Sequence, residues 1–262
     1  MIKLIATDMD GTLLDENSMV PNEFFEILKE LNNKNIKFVV ASGRPYPTLY
    51  ENFKPYSDEL YYICDNGAYI VDDNKTPIID IMDKNSVNKM IEIILNIPNT
   101  ALVLCGTKCA YYTSNNEDFF NEINKYYINK KFVDNPFDID DDIFKVTVCD
   151  LGNSAKNSYP ILNPLFGSDY KTVVSGEYWL DITNKNVNKG EALKRIQKDY
   201  NISFEETMVF GDFYNDVEML QQAYYSFVME NANDDMKKHG NFIAKSNVEH
   251  GVIDAIKNYV LK

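Results

Sequence analysis

The strongest constraint on this fold is a strand-then-helix rhythm that runs from the N-terminus, stops near residue 81 and resumes after residue 184. Lys3 to Thr7 is a short apolar strand ending at an acidic turn, and Pro21 to Asn33 places Phe24, Ile27, Leu28 and Leu31 on one helical face. The unit repeats at Ile36 to Ala41, a continuous apolar run suited to a strand buried on both faces, followed by Ser42-Gly43-Arg44-Pro45 and a helical stretch. After Asn184 the same rhythm gives helix Gly190 to Tyr200, strand Thr207 to Phe210, helix Asp216 to Gln222, strand Tyr225 to Met229 and helix Val252 to Val260. A parallel-sheet α/β domain is the expectation.

Between these halves the texture changes. Tyr61 to Ile81 reads as antiparallel hairpins turned at Asn66-Gly67 and Asp72-Asp73-Asn74. There follow a helix (Ser86 to Leu95), a hairpin about Gly106 (Ala101 to Thr113), a second helix (Glu117 to Tyr127) and an acidic loop through Asp138 to Asp142. A strand at Phe144 to Cys149, a short helix and two closing strands complete the block. The expected organisation is a core of residues 1–81 and 185–262 split by an α+β insertion at 82–184.

Composition removes several function classes. A net charge of -14 leaves no basic face for nucleic acid or anionic lipid. It also repels anionic metabolites at long range, so a phosphate site must bring local positive charge. Cys64, Cys105, Cys109 and Cys149 lack paired CxxC spacing and read as small hydrophobes. No apolar window approaches the ~20 residues of a membrane span, so a soluble cytoplasmic protein without membrane contact is expected.

In an open parallel sheet, ligands gather beyond the C-terminal strand ends. Four segments stand there or open a helix: Asp8-Met9-Asp10-Gly11-Thr12, Ser42-Gly43-Arg44, Asn188-Lys189-Gly190 and Gly211-Asp212 through Asn215-Asp216. Each alone also fits a turn or helix cap. Other phosphate chemistries have no candidate: neither His239 nor His250 follows Arg-His-Gly, no cysteine has an arginine six positions later, and GxxxxGK[ST] and GxGxxG are absent.

Together, Asp8-Met9-Asp10-Gly11-Thr12-Leu13-Leu14, Ser42-Gly43-Arg44, Lys189-Gly190 and Gly211-Asp212-Phe213-Tyr214-Asn215-Asp216 resemble the four motifs of the haloacid dehalogenase-like (HAD) phosphatase superfamily. Asp65-Asn66-Gly67-Ala68 and the long insertion resemble its Cof-type branch. The resemblance implies a Rossmann-like core, a large αβ cap and phosphate-monoester hydrolysis through an aspartyl-phosphate. It makes Asp8 the nucleophile and Asp10 the general acid and base, with Mg2+ held by Asp8, Asp212 and the Asp10 carbonyl. Asp216 and Asn215 would hold the metal's waters. Ser42, Gly43 and Lys189, with Thr12, would bind the phosphoryl oxygens. Arg44 and Asn66 are candidate substrate contacts, although Arg44 equally suits an ion pair with a neighbouring carboxylate.

The expected partner is a small phosphorylated metabolite such as a sugar phosphate, nucleotide or phosphorylated cofactor, chosen by the cap. The aromatic residues Tyr111, Tyr112, Tyr178 and Trp179 there suit either a substrate ring or a core. Phe213 and Glu230 depart from the family pattern and bear on substrate choice. A phosphomutase and a non-catalytic phosphate-binding protein remain as alternatives, and oligomeric state is not encoded legibly.

Overall fold

A computed structural model describes residues 1–72 and 75–262, so the expected turn at Asp72-Asp73-Asn74 lies partly outside the described residues. The chain divides into two compact units, Met1–Ile78 with Asn188–Lys262, and Ile79–Val187. In chain order the first unit begins β1 (Leu4–Thr7), α1 (Asn22–Asn33), β2 (Lys37–Ala41), α2 (Tyr46–Asn52), β3 (Tyr61–Cys64), β4 (Tyr69–Val71) and β5 (Ile78–Ile79). The second holds α3 (Lys84–Ile94), β6 (Thr100–Gly106), β7 (Ala110–Tyr112), α4 (Glu117–Asn124), β8 (Lys130–Phe132), β9 (Ile143–Asp150), α5 (Tyr159–Phe166), β10 (Tyr170–Gly176) and β11 (Trp179–Asn184). The first unit then closes with α6 (Lys189–Asp199), β12 (Thr207–Gly211), α7 (Val217–Leu220), β13 (Tyr225–Met229), β14 (Phe242–Ala244) and α8 (Gly251–Tyr259).

The first unit's sheet runs β14-β13-β12-β1-β2-β3-β4-β5 and is parallel from β14 through β3. Apolar runs form these strands because alternate residues feed opposite faces. Ile5, Phe38, Val40, Met208 and Phe210 join Phe24, Leu28, Ile253 and Ile256 in one core. Leu4, Ala6, Val39, Ala41 and Val209 join Leu193, Ile196, Met219 and Leu220 in the other. Each such fully buried large side chain contributes about 1.5–3 kcal/mol. Register matters for function: Thr7 lies opposite Val40 in β2 and Phe210 in β12, so these three adjacent strands end side by side.

Two expectations need revision. The Tyr61 to Ile81 stretch is not purely antiparallel hairpins. β3 pairs antiparallel with β4 but parallel with β2, because its wholly buried residues extend the main sheet. The helix expected over Asp216 to Gln222 shortens to Val217–Leu220, its start being taken up by a tight turn at Tyr214–Asp216.

The second unit is a six-stranded sheet, β10-β11-β9-β6-β7-β8, antiparallel except where β7 and β8 run parallel. Val87, Met90, Ile91, Ile94, Leu162 and Phe166 of α3 and α5 pack on Leu102, Leu104, Val146, Val148, Leu180 and Ile182. Tyr111 and Trp179 are part of the packed interior, the indole N–H donating to Glu122 Oε1 at 3.0 Å. The acidic loop is organised by Asp141, which accepts from Thr107, Tyr111 and the Lys108 and Asp142 amides.

Candidate active site

All four sequence segments belong to the first unit and meet at the ends of β12, β1 and β2. Asp8 continues β1, its amide donating to the Phe210 carbonyl at 3.1 Å. The chain then winds through an irregular helical turn, Met9–Leu13, closed by the Leu14 amide on the Met9 carbonyl at 2.9 Å. Gly11 is needed there for two reasons. Its φ of 79° is left-handed, and a β-carbon would stand 2.4 Å from Asp212 Oδ2. Thr12 Oγ1, on the same turn, donates to Asp212 Oδ1 at 2.9 Å.

Lys189 opens α6, whose first turn is capped by the Asn188 side chain on the Glu191 amide at 2.8 Å. Its side chain is 0% exposed, and the ammonium donates to Asp8 Oδ1 at 2.5 Å and Asp216 Oδ1 at 2.7 Å. The other Asp216 oxygen accepts the Asp212 and Phe213 amides at 3.1 and 3.2 Å. Asp216 therefore ties the lysine to the turn that carries Asp212. Gly211 allows this approach, since a β-carbon there would lie 2.5 Å from Asp216 Cβ.

One carboxylate oxygen from each of Asp8, Asp212 and Asp216 lies within 4.8 Å of the others. Burial pushes the Asp8 carboxyl up to about 8; Lys189 opposes this, while Asp216 and Asp212 add to it. Burial also lifts Asp212 to about 6, against the Thr12 hydrogen bond and with help from Asp216. For Lys189, burial alone would weaken the charged form, but Asp216 and Asp8 outweigh it and hold the ammonium above the ordinary lysine range. Three carboxyl groups thus share one cation, leaving a deficit that a divalent ion fits. The donors are all oxygen, which suits Mg2+.

Asp10 is held by a different partner from those of this cluster. Its side chain is 57% exposed, and Arg44 holds both oxygens, Nη2 to Oδ1 at 2.5 Å and Nε to Oδ2 at 3.0 Å. Of the two uses open to Arg44 in the sequence, the structure therefore displays the ion pair. Ser42 is buried at the end of β2, its Oγ accepting the Arg44 amide at 3.2 Å, beside an exposed Gly43. Asn66 has a left-handed backbone and lies against Gly43. Its Oδ1 accepts from Asn215 Nδ2 at 3.0 Å, so these two residues are joined to each other. Phe213 and Glu230 are exposed.

Two residues escaped the sequence reading. Asn231 Nδ2 donates to the Gly11 carbonyl at 2.9 Å, and its Oδ1 accepts the Asn247 amide at 3.1 Å. Asn247 Nδ2 in turn donates to the Leu14 carbonyl at 2.8 Å, so the pair braces the middle and the C-terminal end of the Asp10 turn. Asn231 lies two positions beyond β13, where the strand-end rule would have found it.

The fold and site define a doubly wound α/β protein with a buried acid–lysine cluster at its strand ends. A family model described as haloacid dehalogenase-like hydrolase matches residues 5–256, and the chain belongs to that family, in its Cof-type branch. It is 32% identical over 257 residues to the 5-amino-6-(5-phospho-D-ribitylamino)uracil phosphatase YbjI of Escherichia coli, covering 97% of this chain and 95% of the relative. The phosphatase YcsE of Bacillus subtilis, named for the same compound, is 26% identical over 99% of this chain and 96% of its own. The crystal structure of SMU.1108c from Streptococcus mutans superposes with a TM-score of 0.87 at 32% identity, covering 100% of both chains. The protein is accordingly a hydrolase of phosphate monoesters. No helix among the described residues is long and apolar enough to cross a membrane.

Proposed function

We propose that this protein is a Mg2+-dependent phosphatase that hydrolyses a small phosphorylated metabolite through an aspartyl-phosphate on Asp8. The observation that carries the reading is the buried Lys189 bridge between Asp8 and Asp216, beside Asp212. Mg2+, held by Asp8, Asp212 and the Asp10 carbonyl, would supply the charge neutralisation that lets a carboxylate approach a phosphate dianion. An Asp8 oxygen forms a bond to phosphorus as the ester P–O bond breaks, and Asp10 gives the departing oxygen its proton. Water then attacks the same phosphorus, Asp10 takes its proton, and the Asp8–phosphorus bond breaks to release phosphate.

Ser42 and the Gly43 backbone are assigned to the phosphoryl oxygens. Lys189 and Thr12 contact carboxylates, so in this reading they orient Asp8 and Asp212 as well as facing the phosphoryl group. Asn215 and Asp216 are assigned to the metal's water shell. The inserted unit Ile79–Val187 is assigned to substrate choice, as a cap.

The names of YbjI and YcsE make 5-amino-6-(5-phospho-D-ribitylamino)uracil the first substrate to test, ahead of sugar phosphates and nucleotides. The experiment is phosphate release across that panel with and without Mg2+. Metal-dependent release supports the reading. Recovery of an isomerised ester would instead identify a phosphomutase, and tight binding without turnover a ligand-binding protein.

A further inference from the structure

Arg44 is one of two arginines in the chain, and the other, Arg195, makes a loose exposed contact with Asp199 at 3.6 Å. Lysine carries nearly all the remaining positive charge, so an arginine at the end of β2 calls for a property lysine lacks. That property is the planar fork, which holds both oxygens of a carboxylate and fixes the plane in which they lie.

The backbone that carries the fork is itself anchored. The Arg44 amide is held by Ser42 Oγ at 3.2 Å, and its carbonyl accepts the Asp65 amide at 3.1 Å. Its side chain is 26% exposed against 57% for Asp10, so the more buried group grips the more exposed one. The backbone beneath Asp10 is separately braced by Asn231 and Asn247. Backbone and carboxylate are thus fixed by different residues.

The geometry points to Arg44 as a positioning residue for Asp10, one that sets the orientation of the carboxyl group passing protons to the leaving oxygen and from the attacking water. This rests on the proposed function, because it assumes the proton-transfer role of Asp10. An ion pair this exposed contributes little to stability, so its removal should show in chemistry rather than in folding.

The test compares kcat/KM, which covers the steps up to aspartyl-phosphate formation, for two esters. One is p-nitrophenyl phosphate, whose leaving group departs without a proton, and the other an alkyl phosphate that the wild type turns over. Arg44→Ala and Arg44→Lys should each lose about 10-fold or more on the alkyl ester, within the range of general acid catalysis and misplacement. On p-nitrophenyl phosphate each should stay within about 3-fold, and Tm should stay within about 2 °C of wild type. Asp10→Asn should show the same split, larger. An equal loss on both esters would mean that Arg44 binds the phosphate, and no loss on either would make it a surface ion pair. Full rescue by lysine would remove the need for the fork. Each of these three results overturns the inference while leaving the proposed function standing; a wild type that releases no phosphate, or an active Asp8→Asn, sinks the latter instead.

Discussion

At the scale of single residues, Lys189 is the group on which the site's charge balance turns. It is wholly buried and serves two carboxylates, so removing it leaves Asp8 and Asp216 buried without their cation. Breaking a buried pair this way costs about 3–5 kcal/mol. Lys189→Met should therefore lower the urea midpoint markedly in metal-free protein, and added Mg2+ should restore part of the loss; an unchanged midpoint would contradict this. The pH dependence follows from Asp8 and Asp212, lifted to about 8 and 6. Between the ordinary carboxylate range and those values the folded state keeps protons that the unfolded state has released. The contribution of these two groups to the stability of the metal-free protein is thus fully present below the ordinary carboxylate range and is lost as pH rises through 6 and then 8. Mg2+ needs the deprotonated ligands, so its stabilising shift should grow over the same interval. Thermal midpoints from pH 5 to 9, with and without Mg2+, check both signs, and Asp8→Asn should flatten the metal-free slope. That Asp8, Lys189 and Asp212 should lie together was legible in the sequence, because strand ends, a helix start and the resemblance to the family's motifs single them out. The Arg44 grip on Asp10 and the link between Asn66 and Asn215 were not, since each joins side chains remote in sequence and depends on rotamers.

At the scale of elements, the turn Met9–Leu13 depends on support from the far end of the chain. Asn231 and Asn247 tie the Gly11 and Leu14 carbonyls to the loops after β13 and β14. Asn231→Ala should cost about 1 kcal/mol of stability, as for one net hydrogen bond. It should lower kcat more than it raises KM, because it loosens the proposed acid rather than a substrate contact. Steady-state kinetics beside a denaturant curve would separate these, and a change in KM alone would contradict the assignment. Elements with a clear hydrophobic period were legible: α1 shows Phe24, Ile27, Leu28 and Leu31 buried, and β13 spans Tyr225–Met229 as expected. The three-residue strands β8 and β14 were not, because so short a segment displays no period. The parallel pairing of β3 with β2 was also hidden, while its local turn to β4 was visible in Asn66-Gly67. Turn chemistry is local, whereas strand partnership is decided by the rest of the sheet.

At the scale of the whole molecule, the chain sets a strongly acidic surface against the buried ammonium of Lys189, so its site relies on locally placed charge rather than long-range attraction. The parallel sheet supplies the placement: three adjacent strands ending together bring Asp8, Ser42 and Asp212 to one edge. The interruption of the βα rhythm made the two-part organisation readable, although the units themselves divide at Ile78 and Asn188 rather than at the residues where the texture changes. The central claim is that Asp8 carries the phosphoryl group during turnover. The most direct measurement is acid-quenched trapping: the enzyme meets a radiolabelled phosphate ester with Mg2+, and the labelled peptide is identified after digestion. Label on the peptide containing Asp8, at the position of Asp8, and neither label nor turnover in Asp8→Asn, is the predicted result. Label on any other residue, or undiminished phosphate release by Asp8→Asn, would contradict it.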